Sequence, residues 1–343
     1  MKLIFIILYL TFLSNSGFSQ DIFKTNDHIL KFESNNITLD REKNINEIKI
    51  KSFKNIFSNI LSSADFKKIN TDNIVFINNF ILNLKINNEK IIKNNYYSKI
   101  SINYNKKLII NYLIENQIGL VDYLPSNFLI IIFEQDNIKN NLLSKDNIFY
   151  KYLMGENKKL IDNFFLIPDL DHNDRYLYDK NHFLNNAFIK NNKLNNKYGT
   201  DYQILVHSIK QDGFYSINVF LFYDNIKYLV LDIKTHKLNF ENFFNQIKLS
   251  TLDKWKELNK IDTKVINFLN CKININNISE LRYVRSKFDQ NIMVKKFNLK
   301  TIKLYENTYQ ISFFGNINIF INSLQRDRLE LSINQNYCSI NLI

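Results

Sequence analysis

The chain has 343 residues, of which 45% are hydrophobic and 14% aromatic, enough for several packed cores, so global disorder is excluded. Its formal net charge is +12 at pH 7. The basic residues are mostly single lysines spread among abundant Asn and Ile, with no run of five, which argues against a nucleic-acid-binding surface. The charge has two interpretations: the coding bias of an AT-rich genome, or a basic surface that meets envelope lipid or glycan.

The N-terminus has the pattern of a secretory signal peptide. Lys2 is followed by an apolar run over residues 3–13, and Gly17 and Ser19 are small residues at the cleavage positions. The run is about half of the roughly 20 residues that cross a bilayer, so we expect cleavage after Ser19, with a retained anchor as the alternative. The sequence therefore predicts a periplasmic protein, without a transmembrane span in the mature chain and without a nucleic-acid partner.

The first region after the signal peptide, residues 20–124, is predicted to form a small α+β domain. Apolar residues at three- and four-residue steps predict an amphipathic helix over 40–61. Alternating apolar residues predict a strand over 100–104, and a second helix follows over 108–113. Gly119 is expected to end that helix in the left-handed conformation.

The middle region, residues 125–266, is predicted to combine a buried strand with an antiparallel meander. Phe128–Phe133 is a continuous apolar run, typical of a strand covered on both faces. Ser250 and Asp253 form a capping-box pattern that predicts the start of a helix, on which the lone Trp255 is a core or interdomain anchor toward the third domain. Two-residue turns separate the predicted meander strands, which are 202–209, 214–223 and 226–233.

The last region, residues 267–343, has a β-α-β-β-α-β order, which is the split βαβ or ferredoxin-like arrangement. The predicted fold class is therefore α+β, with three small α/β-sandwich-like domains. Cys271 and Cys338 are the only two cysteines. They lie near the first and last predicted strands, which are antiparallel neighbours in this arrangement. An oxidising compartment permits them to pair, so the sequence predicts a possible disulfide.

One acidic segment can be compared with a calcium loop. It contains Asp169, Asp171, Asn173 and Asp174, an oxygen-rich run of the kind that Ca²⁺ binds. Asp174 stands where such a loop needs Gly, and Lys180 stands where it needs a closing Glu. Three interpretations are open: a calcium site, a solvated turn, or a cap for the next element. We expect the solvated turn and no metal.

The remaining sequence offers no catalytic pattern. It has no Gly-rich phosphate loop, no nucleophile elbow, and no obvious Cys–His pair. The histidines lack zinc-site spacing, although two of them flank the acidic segment. We therefore expect no enzyme activity and no cofactor; the alternative is an envelope hydrolase or metal-dependent enzyme that uses Asp169 to Asp174. The five histidines are His28, His172, His182, His207 and His236.

Several segments in order resemble a family of exported proteobacterial proteins. They are the helix over 41–61, Tyr96-Tyr97-Ser98-Lys99-Ile100, Leu166-Ile167-Pro168-Asp169-Leu170-Asp171, Lys197-Tyr198-Gly199-Thr200-Asp201-Tyr202 and Asp253-Lys254-Trp255-Lys256. The chain resembles the domain of unknown function two-zero-six-six, in its form from AT-rich marine alphaproteobacteria. Ile, Asn and Lys largely replace the family's usual Ala and Arg on the first helix.

The resemblance implies binding rather than catalysis, because the family carries no assigned catalytic residues. Its middle region is similar to the N-terminal domain of periplasmic Tol-associated propeller proteins and of outer-membrane accessory lipoproteins, which are interaction modules. The expected function is therefore a non-catalytic binding or adapter module of the cell envelope. Its expected partner is an envelope protein, a glycan or a lipid.

Overall fold

The computed structural model describes residue 23 and residues 27–343, except 126, 138, 156–163, 186–187, 276, 303–305 and 335–336. The predicted signal peptide, residues 1–19, lies outside the described residues. The chain divides into two compact units: the described residues up to Tyr123 together with Ile261–Ile343, and Leu124–Lys260. The division into three domains stays a prediction. The α+β class is confirmed, since helices accompany three separate sheets among the described residues.

The N-terminal segment packs its helices on a three-stranded antiparallel sheet of order β1-β3-β2. Its elements are β1 (His28–Glu33), α1 (Ile37–Ile60), α2 (Ser63–Phe66), α3 (Ile74–Asn78), β2 (Ile81–Ile92), β3 (Asn95–Tyr104) and α4 (Lys106–Glu115). Asn36 caps α1, where its side chain accepts a hydrogen bond from the Leu39 N–H. The predicted amphipathic helix is confirmed, because its apolar residues are buried on one face. They include Ile45, Phe53, Ile56, Phe57 and Ile60.

The predicted end of α4 was wrong by two residues. Gln117, not Gly119, takes the left-handed conformation, with φ 56°. The Ile118 N–H donates to the Leu113 carbonyl at 2.8 Å, so the last turn is closed before Gly119 is reached. This backbone hydrogen bond satisfies a carbonyl that the helix end would otherwise leave unpaired.

The middle unit is built on a mixed sheet of order β5-β4-β7-β8-β9, with β6 also beside β4. Its strands are β4 (Phe128–Asp136), β5 (Lys139–Leu142), β6 (Phe165–Leu166), β7 (Gln203–Gln211), β8 (Phe214–Tyr223) and β9 (Ile226–Thr235). The meander of β7, β8 and β9 is confirmed as antiparallel. Its two turns use positive φ at Asp212, Gly213, Asp224 and Asn225.

The helices of the middle unit differ more from expectation. They are α5 (Ile148–Met154), α6 (His172–Leu177), α7 (Lys180–Asn185), α8 (Phe188–Tyr198) and α9 (Phe240–Leu258). α6, α7 and α8 occupy an Asn-rich stretch in which no element was predicted. The predicted cap at Ser250 was wrong: α9 begins at Phe240, and its N-cap is Asn239, which accepts from the Asn242 N–H. Trp255 is fully buried on α9 and meets Tyr202 edge-on within this unit.

A buried tyrosine completes the free edge of β4 between β5 and β6. The Tyr150 hydroxyl accepts a hydrogen bond from the Ile132 N–H at 3.0 Å and donates to the Ile130 carbonyl at 3.1 Å. The Tyr150 hydroxyl thus supplies the hydrogen bonds that a neighbouring strand would supply to these backbone groups. The continuous apolar run of β4 is buried as predicted.

Replacing this hydroxyl is expected to destabilise the middle unit. Tyr150→Phe leaves the Ile132 N–H and the Ile130 carbonyl buried without that partner, which should cost about 1 to 3 kcal/mol of unfolding free energy. Urea denaturation followed by the fluorescence of Trp255 measures the loss. Tyr152→Phe on the same helix is the control, expected within about 0.5 kcal/mol of wild type. Equal stability of the two variants would contradict the role of the Tyr150 hydroxyl.

The C-terminal segment forms a five-stranded sheet of order β11-β12-β10-β14-β13. Its elements are β10 (Ile266–Asn274), α10 (Ile278–Gln290), β11 (Val294–Ile302), β12 (Glu306–Phe314), α11 (Ile317–Arg326), β13 (Leu329–Asn334) and β14 (Tyr337–Leu342). β12 lies antiparallel between β10 and β11, as a split βαβ arrangement requires. The expected antiparallel pairing of the first and last strands was wrong, because β14 lies between β10 and β13 and pairs parallel with β10.

The first unit joins the N-terminal and C-terminal segments of the chain. The Ile261 N–H donates to the Leu120 carbonyl at 2.8 Å, so the chain leaves and re-enters this unit at adjacent backbone positions. Arg326 forms an ion pair with Asp122 and lies over the Tyr123 ring, 3.9 Å from its centroid. These contacts hold the two segments together beside their apolar cores.

Candidate functional site

The acidic segment lies at the start of α6 in the middle unit. The Asp171 carboxylate accepts a hydrogen bond from the Asp174 N–H at 2.8 Å and is the N-cap of the helix. Leu170, just before it, has a positive φ of 59°. Of the three interpretations of this segment, the cap for the next element describes Asp171.

Asp174 does not lie in a solvated turn, because its side chain is fully buried. Its carboxylate accepts hydrogen bonds from Lys197 Nζ at 2.7 Å, from Tyr198 Oη at 2.8 Å, and from the Leu170 N–H at 2.9 Å. A buried carboxylate is tolerated only when charge and hydrogen bonds compensate for lost water, and α8 supplies two of the three donors. The expectation of a solvated turn was therefore wrong for Asp174.

Lys197 lies among all three carboxylates of the segment. Besides the bond to Asp174, its ammonium nitrogen is 3.2 Å from Asp169 Oδ2 and 3.6 Å from Asp171 Oδ1. The Tyr198 hydroxyl, which donates to Asp174, also accepts a bond from the Asp169 N–H at 2.7 Å. The oxygens that suggested a calcium site are thus directed at an ammonium group of the chain itself.

The hydrogen bonds within this cluster fix the charges of its members. Burial opposes the charge on Lys197, but its bonds to Asp174, Tyr198 and Asp169 raise its pKa above the usual value. The Asp174 N–H and the Lys197 charge lower the pKa of Asp171. Burial raises the pKa of Tyr198 to about 12. At neutral pH, Lys197 is therefore charged, Asp171 is ionised and Tyr198 is protonated, which suits an ion-pair network better than proton transfer.

The two cysteines form a disulfide in the first unit. Cys271 on β10 and Cys338 on β14 are directly opposite in the parallel pair, with Cα atoms 4.4 Å apart. Both are buried. They were predicted at the ends of antiparallel strands, but they pair across parallel strands because β14 lies next to β10.

In the described part of the chain, no histidine side chain donates to the buried Asp174 carboxylate. His172 is exposed on α6, and the side chain of His182 lies outside the described residues. His207 Nε2 is 2.7 Å from Gln135 Oε1, and its ring stacks on Phe133. Among the described residues, no group of three or more His, Cys, Asp or Glu side chains could hold a metal ion.

Sequence reasoning missed the residues that complete this cluster. Lys197 and Tyr198 are more than twenty positions beyond Asp174, and no local pattern linked them to it. The amphipathic period of α8, hidden by its many asparagines, is the one signal that could have indicated a helix packed on the acidic segment.

No family model and no curated protein matches the chain. The helices in the described residues include none that is both long and apolar enough to cross a membrane.

Proposed function

We propose that this chain is an exported periplasmic protein that acts as a non-catalytic binding or adapter module of the cell envelope. One observation carries the proposal: the bond between Cys271 and Cys338. Disulfides persist in oxidising compartments such as the periplasm and are rare in the cytosol. The apolar leader over residues 3–13 supports the same location. Membership of the exported family that the sequence resembles is part of this proposal.

The binding role is favoured over the alternative of an envelope hydrolase or metal-dependent enzyme. Asp171 caps a helix, and Asp174 is enclosed by Lys197 and Tyr198. These carboxylates stabilise the unit through contacts within the chain, and a catalytic role would require breaking those contacts. The partner we propose is an envelope protein, or a glycan or lipid of the envelope.

Expression of the full chain in a Gram-negative host tests the location. We expect a periplasmic product whose N-terminus is Gln20, shown by mass spectrometry after osmotic shock, because the leader ends in small residues. A Leu8→Arg variant is the matched control, since a charge in the short apolar run should retain the precursor in the cytosol. An uncleaved wild-type chain found in the cytosol would overturn the proposal.

Crosslinking in the native envelope tests the role. We expect a specific partner to be recovered with the wild-type chain after crosslinking in intact cells. Turnover of an envelope substrate by the purified protein, lost in Asp169→Asn together with Asp171→Asn, would instead establish the hydrolase alternative and overturn the binding role.

A further inference from the structure

A second cluster of polar and aromatic side chains lies in the middle unit, on the face of the sheet that α7 covers. The His207 ring on β7 stacks on the Phe133 ring on β4, with centroids 5.2 Å apart and planes 4° from parallel. Phe183 on α7 meets both rings edge-on. Asn218 on β8 is directly opposite His207. The cluster thus consists of buried aromatic rings with the polar side chains of His207 and Asn218 beside them.

Two lysines from different elements lie over aromatic rings on this face of the sheet. Lys180 Nζ, at the start of α7, is 5.6 Å from the Phe133 ring centroid. Lys227 Nζ, on β9, is 4.3 Å from the Phe220 centroid and 5.4 Å from the Phe183 centroid. Within the part of the chain that the structure describes, neither lysine makes an ion pair. The two cations therefore lie over different rings of one aromatic cluster, Lys180 over Phe133 and Lys227 over Phe183 and Phe220.

The electrostatics of the cluster reflect the two lysine charges near His207. The pKa of His207 is lowered by burial and then by the charges of Lys227 and Lys180. Burial also lowers the pKa of Lys227. The groups facing His207 from β4 and β8 are neutral, Gln135 and Asn218. The acid in the same cross-strand row, Asp232 on β9, is exposed and lies one strand beyond Asn218.

We propose that Lys180, Lys227 and His207 bind a small organic anion. Its carboxylate or phosphate oxygens would accept hydrogen bonds from the two ammonium groups, since charge-assisted bonds to an oxyanion are among the strongest that side chains make. Its apolar part would lie on the half-buried Phe220 ring. The anion would be a second ligand beside the envelope partner proposed above, and its proposal rests on that binding role.

The imidazole of His207 reports on the site. We follow its NMR titration in chloride buffer, in inorganic phosphate and in phenyl phosphate at equal ionic strength, with the resonance assigned by His207→Gln. A bound anion stabilises the protonated ring, so the pKa of His207 should rise by about half a unit or more with phenyl phosphate. Phenyl phosphate should also bind several-fold tighter than inorganic phosphate, because only phenyl phosphate can contact Phe220.

Charge-removing variants decide whether the response belongs to this site. Lys180→Gln together with Lys227→Gln should abolish the rise in the His207 pKa with phenyl phosphate. Lys227→Gln alone should reduce that rise, and it replaces the double variant in the test if the double variant fails to fold. Lys85→Gln together with Lys99→Gln, two exposed lysines of the first unit, removes the same charge and should leave the rise intact. An unchanged response in the site variants, or none in the wild type, would overturn the proposal.

Two further outcomes separate parts of the inference. Equal affinity for the two phosphates would overturn the assignment of the apolar part to Phe220. Capture of the envelope partner is measured in parallel on the wild type and the Lys180→Gln, Lys227→Gln variant. Failure of anion binding with partner capture intact would reject this site and leave the proposed function standing. Failure of partner capture and of export in the wild type would reject the function itself.

Discussion

Removal of the disulfide, by Cys271→Ala together with Cys338→Ala, is expected to lower the free energy of unfolding of the first unit by about 4 kcal/mol. The bond closes a loop with a sequence separation of 67 residues, and its main effect is to reduce the conformational freedom of the unfolded chain. It also joins β10 and β14 at the centre of the five-stranded sheet. Guanidinium denaturation followed by far-UV circular dichroism measures the loss.

The lone tryptophan gives this experiment an internal control. Trp255 belongs to the middle unit, so the transition seen by its fluorescence should move much less than the one seen by circular dichroism. In native wild-type protein both sulfurs are buried, and we expect alkylation only after unfolding in the presence of a reductant. Two free thiols in protein isolated from the periplasm without reductant would contradict both the bond and the argument for export that depends on it.

The elements that the sequence predicted are those with a regular apolar period and clear local signals. α1 repeats its apolar side chains at helical steps, β4 is a continuous apolar run, and the meander has turn residues that accept positive φ. Such patterns reflect burial on one face or on both, and burial is decided mainly by the residues of the element itself. This is why the α+β class could be predicted from the sequence.

The errors arose where distant contacts decide the structure. The place of β14 beside β10 depends on a parallel pairing between segments far apart in sequence, and no local pattern encodes that register. The start of α9 was misplaced because Ser250 and Asp253 fit a capping pattern although the apolar face continues upstream through Phe243 and Phe244. A capping pattern inside a longer amphipathic period does not mark a helix end.

The acidic segment shows the same limit at a possible site. Its oxygens were recognised as candidate cation ligands, but a solvated turn was expected, because the sequence alone could not show that α8 brings Lys197 to them. Charge compensation is a property of the folded chain, and the nearest cation in space is here remote in sequence. An oxygen-rich run therefore predicts a need for positive charge before it predicts a metal.

The buried ion pair gives the second large expected effect. Asp174→Ala removes the carboxylate that accepts hydrogen bonds from three donors. The buried Leu170 N–H then lacks this acceptor, and Lys197 loses its nearest carboxylate. Breaking one side of a buried pair typically costs about 3 to 5 kcal/mol. We expect about 3 kcal/mol here, because Asp169 and Asp171 stay close to Lys197. Urea denaturation followed by the fluorescence of Trp255 measures it.

Asp169→Asn is the matched control, since the Asp169 side chain is 63% exposed and its contact to Lys197 is 3.2 Å. An exposed ion pair contributes about 0 to 1 kcal/mol, so this variant should stay near wild type. Asp174→Asn should fall between the two, because the amide keeps an acceptor but loses the charge. The contrary result would be a rise in the urea midpoint of the wild type in millimolar CaCl₂ that is absent in Asp171→Asn. The segment would then be a calcium site, and the assignment of Lys197 as its cation would fail.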